Sequence, residues 1–283
     1  MIDEVNAMLN ELVQQDLIED GRRFTMGYRL DDLYNEDFES DQDRKLPQPP
    51  LVKAPMRDTA LELPMDFEGL AKGDLTDLLL ARKSNRVYTQ EPISLLQLSY
   101  LLWTTQGIKD IRGKAYATIR TVPCGGARHQ FETYLMVRNV EGLEPGAYHY
   151  LPMGHKLEFL YPVADLDAVI SDSLCEQAWA AKASVVFYWS MVPYRAEWRY
   201  GIYAHRIALV DLGHVGENLY LAATALGLGT CGIGAFQHEQ CCRLFGLDEK
   251  EEYIVYTAPV GTIREADLDK EKAFYRFVED EGL

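Results

Sequence analysis

The chain has 283 residues, is 47% hydrophobic and 25% charged, and carries a formal net charge of −16. That much apolar material builds one large core, or a core with an extension. The negative charge repels nucleic-acid phosphates and anionic membrane surfaces and excludes both as expected partners.

No apolar run is long enough to span a bilayer, and the acidic, amphipathic start MIDEVNAMLNELVQQDLIED lacks the basic and apolar regions of a signal peptide. The five cysteines are an odd number and include the neighbours Cys241 and Cys242, which fits a reducing cytoplasm better than secretion.

In chain order, Val5, Met8, Leu9, Leu12, Val13 and Leu17 predict an amphipathic helix over 3–20, closed by Gly21. Residues 31–45 are mostly Asp, Glu, Asn and Lys, and 46–64 hold Pro47, Pro49, Pro50, Pro55 and Pro64. The stretch 22–72 therefore reads as an extended arm that wraps a partner surface or stays disordered. The expected division is an N-terminal helix and proline-rich arm over 1–73 and one catalytic domain over 74–283.

Helical spacing recurs over 74–82 and 94–106, the latter with Ser94 placed as N-cap and Gly107 just past its end. Residues 133–140 alternate as a strand, 146–151 and 156–160 follow as a hairpin, and 165–181 read as a helix. The run SVVFYWSMV, 184–192, is continuously apolar and predicts a buried strand. A long helix over 203–226 closes at Gly227 and Gly229, and 252–260 form a last buried strand. Helices and strands mix without strict βαβ alternation, so the fold class is α+β, a mixed or antiparallel sheet flanked by helices.

Three motifs carry chemistry. Arg82, Lys83, Ser84 and Arg86 pack three cations and a hydroxyl into five residues, a set suited to a phosphate dianion or equally to a solvated basic turn. Pro123, Cys124, Gly125 and Gly126 let backbone approach a flat ligand closely. Cys124 reads either as a reactive thiol or as a small packing residue, since no paired base is evident. Cys231, Gly232, Ile233 and Gly234 continue a glycine-rich loop after the long helix. It is no dinucleotide fingerprint, because it does not follow a strand as GxGxxG.

Taken in order, these motifs resemble the nitroreductase superfamily, and within it the SagB-type dehydrogenases. The resemblance runs from about Leu78 to Arg264 through RKSNRVY, LSYLLWTTQGI, TVPCGGARHQFETYLMVRNVEGLEPGAYHY, RYGIYAHRIALVDLGHVGENLYLAATALGLGTCGIGAF and VGTIRE. It implies a nitroreductase-like fold with FMN held at the interface of an intertwined homodimer. By this resemblance Arg82 meets the phosphate, Ser84 the ribityl chain and Arg86 the pyrimidine edge. Cys124, Gly125 and Gly126 line the cofactor through backbone, Cys231 and Gly232 lie near the flavin N5, and Arg264 is a second phosphate partner.

The chain departs from the family pattern in carrying Cys124 where Ser is frequent and Gln130 where Pro is frequent. SagB-type enzymes that oxidise azolines often carry a Lys-Tyr pair before the long helix; here it is Arg199-Tyr200. Tyr200 retains acid–base capacity, whereas an arginine cannot act as a base near neutral pH. Arg199 otherwise reads as a surface cation beside Tyr200.

Asp211, His214 and Asn218 share one helical stripe, as a metal site or as a polar seam at a subunit interface would. His238, Glu239, Cys241 and Cys242 match no zinc spacing and read as an ordinary helix. No metal is expected. The expected activity is two-electron hydride transfer between NAD(P)H and a small organic acceptor on FMN, with Tyr200 and Arg199 at the reacting end. Its alternatives are dehydrogenation of a peptide-derived azoline and a flavin-binding scaffold without turnover.

Overall fold

The computed structural model describes residues 15–26 and 39–282. Of the first expected helix, 3–14 lie outside the described residues, and the described part (α1, 15–25) runs through Gly21 rather than ending there. A helical glycine costs about 1 kcal/mol, and ion pairs from Arg23 to Glu19 and Asp20 on the same helix offset part of that.

Then follow β1 (Leu61–Glu62), α2 (Leu75–Ala81), α3 (Leu95–Gln106), the hairpin β2 (Ile108–Arg112) and β3 (Ala117–Arg120), β4 (Phe131–Val137), β5 (Gly146–Leu151) and β6 (Lys156–Pro162). After α4 (Leu166–Ser173) come β7 (Val185–Met191), α5 (Pro193–Tyr200), α6 (Ala204–Ala225), β8 (Leu228–Thr230), α7 (His238–Leu244), β9 (Tyr253–Thr262), α8 (Leu268–Ala273) and α9 (Arg276–Asp280).

A strand that is apolar at almost every position needs cover on both faces, and β7 has it in the interior of a seven-stranded sheet ordered β1-β6-β5-β4-β7-β9-β8. Every pairing of adjacent strands in this sheet is antiparallel. Side chains alternate: Val185, Phe187 and Trp189 join Leu135 and Val137 against α3 and α6. Val186 and Tyr188 join Tyr134 and Met136 against α4 and α7. The α+β arrangement expected from the sequence, an antiparallel sheet flanked by helices, is thus the one observed.

Helix α3 starts on Ser94 with a reciprocal capping box to Gln97, a device that contributes about 1 kcal/mol. Helix α4 is shorter than expected. Backbone at Cys175 and Glu176 turns to positive φ, so the chain leaves the helix after Ser173 and re-forms only a short 3₁₀ turn at Ala180–Lys182.

The described arm residues lie along their own protomer. Prolines donate no hydrogen bond, and the amides between them are taken by carboxylates of the sheet. Lys53 N donates to Glu132, and the Met56 and Arg57 amides donate to Glu158. β1 then adds an edge strand to β6.

Candidate functional site

Two groups of residues gather at opposite ends of α6. At its C-terminal end, Ser84 makes an isolated parallel bridge with Thr230, and Asn85 N donates to Thr230 O at 2.8 Å. That bridge lays Arg82–Arg86 beside the loop after β8. Tyr220 of α6 joins the two segments: its Oη lies 3.0 Å from Ser84 Oγ and accepts the Gly232 N–H at 2.7 Å, while the Arg82 guanidinium sits 5.4 Å from its ring centre. Gly232 admits no side chain, because a Cβ there would fall 1.8 Å from Tyr256 Oη.

Ile233 is buried and exchanges both backbone hydrogen bonds with Thr257, so it anchors the loop in the core, whereas Gly234 is exposed. Burial raises the Cys231 thiol above its ordinary value, with Arg86 acting the other way.

Lys83 and Arg264 line one cavity of about 290 Å³. Arg264 Nε is 3.2 Å from Asp267. The Arg86 guanidinium lies among the rings of Trp179, Phe274 and Tyr275 and donates to Tyr275 Oη at 2.7 Å. Burial works against its charge, yet Cys231, Tyr275 and Glu271 hold its pKa above the usual value. Glu271 of α8 places Oε1 2.6 Å from the amide nitrogens of both Arg86 and Val87. Its Oε2 is buried without a partner.

At the other end of α6, Asp211 accepts the Gly125 N–H with both oxygens, at 3.0 and 3.1 Å, and the Cys124 thiol at 3.2 Å. Burial, then the Asp211 charge, push that thiol up to about 12. Cys124 is therefore held protonated, the opposite of an activated nucleophile. Gly126 has φ +56°, and a Cβ there would meet Arg199 Nε and Tyr200 Oη, each at 2.7 Å. The pair Arg199 and Tyr200 thus closes over the backbone of Gly126. Arg199 donates to Tyr116 Oη at 2.7 Å and to Gln42 at 3.2 Å, while its Nε is buried without a partner. Pro123 is exposed at the entrance of the loop.

The structure therefore brings Arg82, Lys83, Ser84, Arg86, Cys231, Gly232 and Arg264 together, and separately Pro123, Cys124, Gly125, Gly126, Arg199 and Tyr200. Asp211 and Tyr220 mark the two groups on α6, nine residues and so about 14 Å apart along the axis. The stripe of Asp211, His214 and Asn218 is not one unit. Asp211 holds Gly125, Asn218 donates to Thr104 O, and His214 is exposed.

Among the described residues no cluster of His, Cys, Asp and Glu is set out as metal ligands, and no helix is long and apolar enough to cross a membrane. Sequence reasoning missed Tyr220, Tyr256, Asp211 as the anchor of Gly125, and Glu271. All four act through contacts remote in sequence, for which no local motif exists.

A flavin phosphate or pyrimidine edge asks for convergent donors and cations. The Arg86 and Val87 amides, with Lys83, Arg86 and Arg264 close by, bring donors and cations together here; Glu271 takes both amides, and Glu265 and Asp267 line the same cavity. The residues present fit the cofactor implied by the sequence resemblance.

The nitroreductase family model matches residues 79–262. A protein of Methanocaldococcus jannaschii named as a nitroreductase, MJ1384, is 35% identical over 191 residues, which cover 66% of this chain and 90% of that one. The trifolitoxin-processing protein TfxB of Rhizobium leguminosarum bv. trifolii is 34% identical over 118 residues, 38% of this chain but 30% of TfxB, and it fits the SagB-type branch. Among solved structures, one from Anabaena variabilis named as a nitroreductase matches with a TM-score of 0.55 and 25% identity. That match takes in 72% of this chain and 41% of the other.

Proposed function

From the premise that the chain belongs to the nitroreductase family of oxidoreductases, we propose that it is an FMN-dependent enzyme passing two electrons between NAD(P)H and a small organic acceptor. The observation that carries this reading is the anion-accepting corner at Arg86 and Val87, where Glu271 holds two adjacent amides. When bound, the isoalloxazine supplies the hydride chemistry. Arg82, Lys83 and Arg264 would hold the phosphate, Ser84 the ribityl chain and Arg86 the pyrimidine edge. Cys231, Gly232 and the loop through Ile233 and Gly234 would border the ring.

The separation of the two residue groups along α6 supports a homodimer. In it the Pro123–Gly126 loop of one protomer would complete the site begun by Arg82–Arg86 of the other. Exposed Ile202, Leu209 and Val210, with exposed Leu75, Leu79 and Leu80 of α2, supply apolar surface for such a contact. Light scattering that returns the monomer mass at micromolar concentration would refute it.

At the reacting end, Arg199 stays charged near neutral pH and cannot take up a proton. Its part is positional and electrostatic, which leaves Tyr200 as the only acid or base of the pair. A second reading, dehydrogenation of a peptide-derived azoline, is favoured by the similarity to the trifolitoxin-processing protein.

Stopped-flow reoxidation by a quinone or nitroarene, with wild type and Tyr200→Phe, separates the two. Hydride transfer to a diffusible acceptor expects a small change in rate. A loss of about a hundredfold or more, the low end of acid–base catalysis, promotes the dehydrogenase reading.

A further inference from the structure

The cavity in front of the Cys124 loop has a charge balance opposite to that of the chain. It measures about 660 Å³ and is bounded by Lys109 and Arg112 of β2, Arg120 of β3, Cys124, Gly126 and Arg199. Four of its fifteen lining residues are cations and none is a carboxylate, in a chain with 28 basic and 44 acidic residues.

These cations differ in what they have left to give. Arg120 is buried, and its donors go to Thr118, Gln106 and Leu51 O. It adds a positive field to the cavity floor, with three of its five N–H donors already engaged. Lys109 and Arg112 are exposed, and neither makes an ion pair among the described residues. Arg199 has its Nη1 engaged by Tyr116 and Gln42, with Nε buried and unpartnered.

His129 also lines the cavity, and Asp211 lies behind that lining. His129 is held neutral, burial and then Arg120 pushing it down to about 3, so it adds no charge. Asp211 sits behind the Cys124 thiol, with both oxygens already accepting from Gly125 and one from Gln130. Low-dielectric walls lined by one sign of charge focus the field on the interior.

We propose that this cavity is an anion subsite, which seats the carboxylate of the molecule reduced at the neighbouring Arg199–Tyr200 end and so selects carboxylate-bearing acceptors over neutral ones. Lys109 and Arg112 are the specificity-determining residues, with Arg120 and Arg199 fixing the potential behind them. The proposal deepens the oxidoreductase reading and rests on it for the identity of the acceptor, though not for the binding itself.

The test compares 4-nitrobenzoate with 4-nitrobenzamide, the same ring with and without the charge. Each is titrated into the purified flavoprotein by calorimetry and used as an acceptor in steady-state turnover, for wild type and for the Lys109→Gln/Arg112→Gln double variant. Both positions are exposed, and matching thermal unfolding curves confirm that the variant folds. The expected result is a preference for the carboxylate of about tenfold in Kd and KM, the size of one charged hydrogen bond. It falls to within about twofold in the double variant and in roughly 0.5 M salt, where the Debye length is a few ångströms.

Equal affinities in wild type, or a preference that survives the double variant, overturn the proposal. So does a loss confined to NADPH over NADH, which would assign the cations to the donor's phosphate. Turnover absent with both acceptors while the calorimetric preference holds would remove the redox reading and leave the anion subsite standing.

Discussion

Glu271 Oε1 lies 2.6 Å from the amide nitrogen of Arg86 and takes the Val87 amide at the same distance. A side-chain carboxylate thus occupies the corner beside which the proposed function puts the cofactor, and a bound cofactor would compete with it for these two donors. Glu271→Ala frees both amides and should tighten FMN by roughly tenfold, about 1.4 kcal/mol. Quenching of flavin fluorescence measures it; weaker binding in the variant would show that Glu271 supports the site instead.

Gly126 and Gly142 both have positive φ, at +56° and +81°, but only Gly126 is roofed. Alanine at Gly142 meets nothing within 4 Å and suffers the left-handed backbone alone, about 1 kcal/mol. Alanine at Gly126 adds a clash with Arg199 and Tyr200. Thermal unfolding should show Gly126→Ala losing at least about twice as much as Gly142→Ala. Equal losses would mean that the two side chains move aside freely.

What the sequence made legible follows from how local the signals are. Ser94 and Gly107 bound α3 because caps act on backbone within a turn. Residues 204–225 keep a helical apolar stripe, and Val185–Met191 is apolar on both faces. The hairpin β2–β3 went unread because β2 is largely exposed and carries Lys109, Asp110 and Arg112 with no apolar alternation.

The strand expected at 133–140 begins instead at Phe131 and ends at Val137. The polar residue Glu132 is buried there against Arg195 and His149, which no local pattern announces. The basic Arg82–Arg86 run was visible as a motif, but its closure by Glu271, 185 residues away from Arg86, was not.

Cys124 should be a poor nucleophile. With its thiol held up to about 12 by burial and by Asp211, little thiolate exists at pH 8. Iodoacetamide should modify exposed Cys175 first, with Cys124 slower by about a hundredfold or more. Asp211→Asn removes the nearby charge and should speed Cys124. Peptide mapping of wild type that finds Cys124 labelled as fast as Cys175 would contradict the assignment.

The arm is fastened by ionised groups, so its hold depends on pH. Burial opposes the charge of Glu132, but Arg195 and His149 hold its pKa down. Burial opposes Glu158 too, and His149 with the Met56 and Arg57 amides lowers it. Stability from these two is present above the ordinary value of 4.5 and is lost as pH falls through their lowered values.

His149 is raised: burial opposes its charge, and Glu132 and Glu158 overcome that. Its contribution is complete below 6.5 and fades as pH rises through the raised value. Exchange protection at the Lys53, Met56 and Arg57 amides should be high near pH 6 and decline on acidification below 4.5, last at Lys53, whose acceptor Glu132 is held well down. Protection with no dependence on pH across this range at any of the three amides would detach the arm from these carboxylates.

The proposed function requires that this chain hold FMN. Heat release of the cofactor from the purified protein, or from protein reconstituted with FMN and desalted, followed by chromatography, tests it directly. The expected result is FMN at about one equivalent per chain, in keeping with a compact Arg and Ser set and no dinucleotide fingerprint. FAD in its place, or no flavin retained after reconstitution, would contradict it.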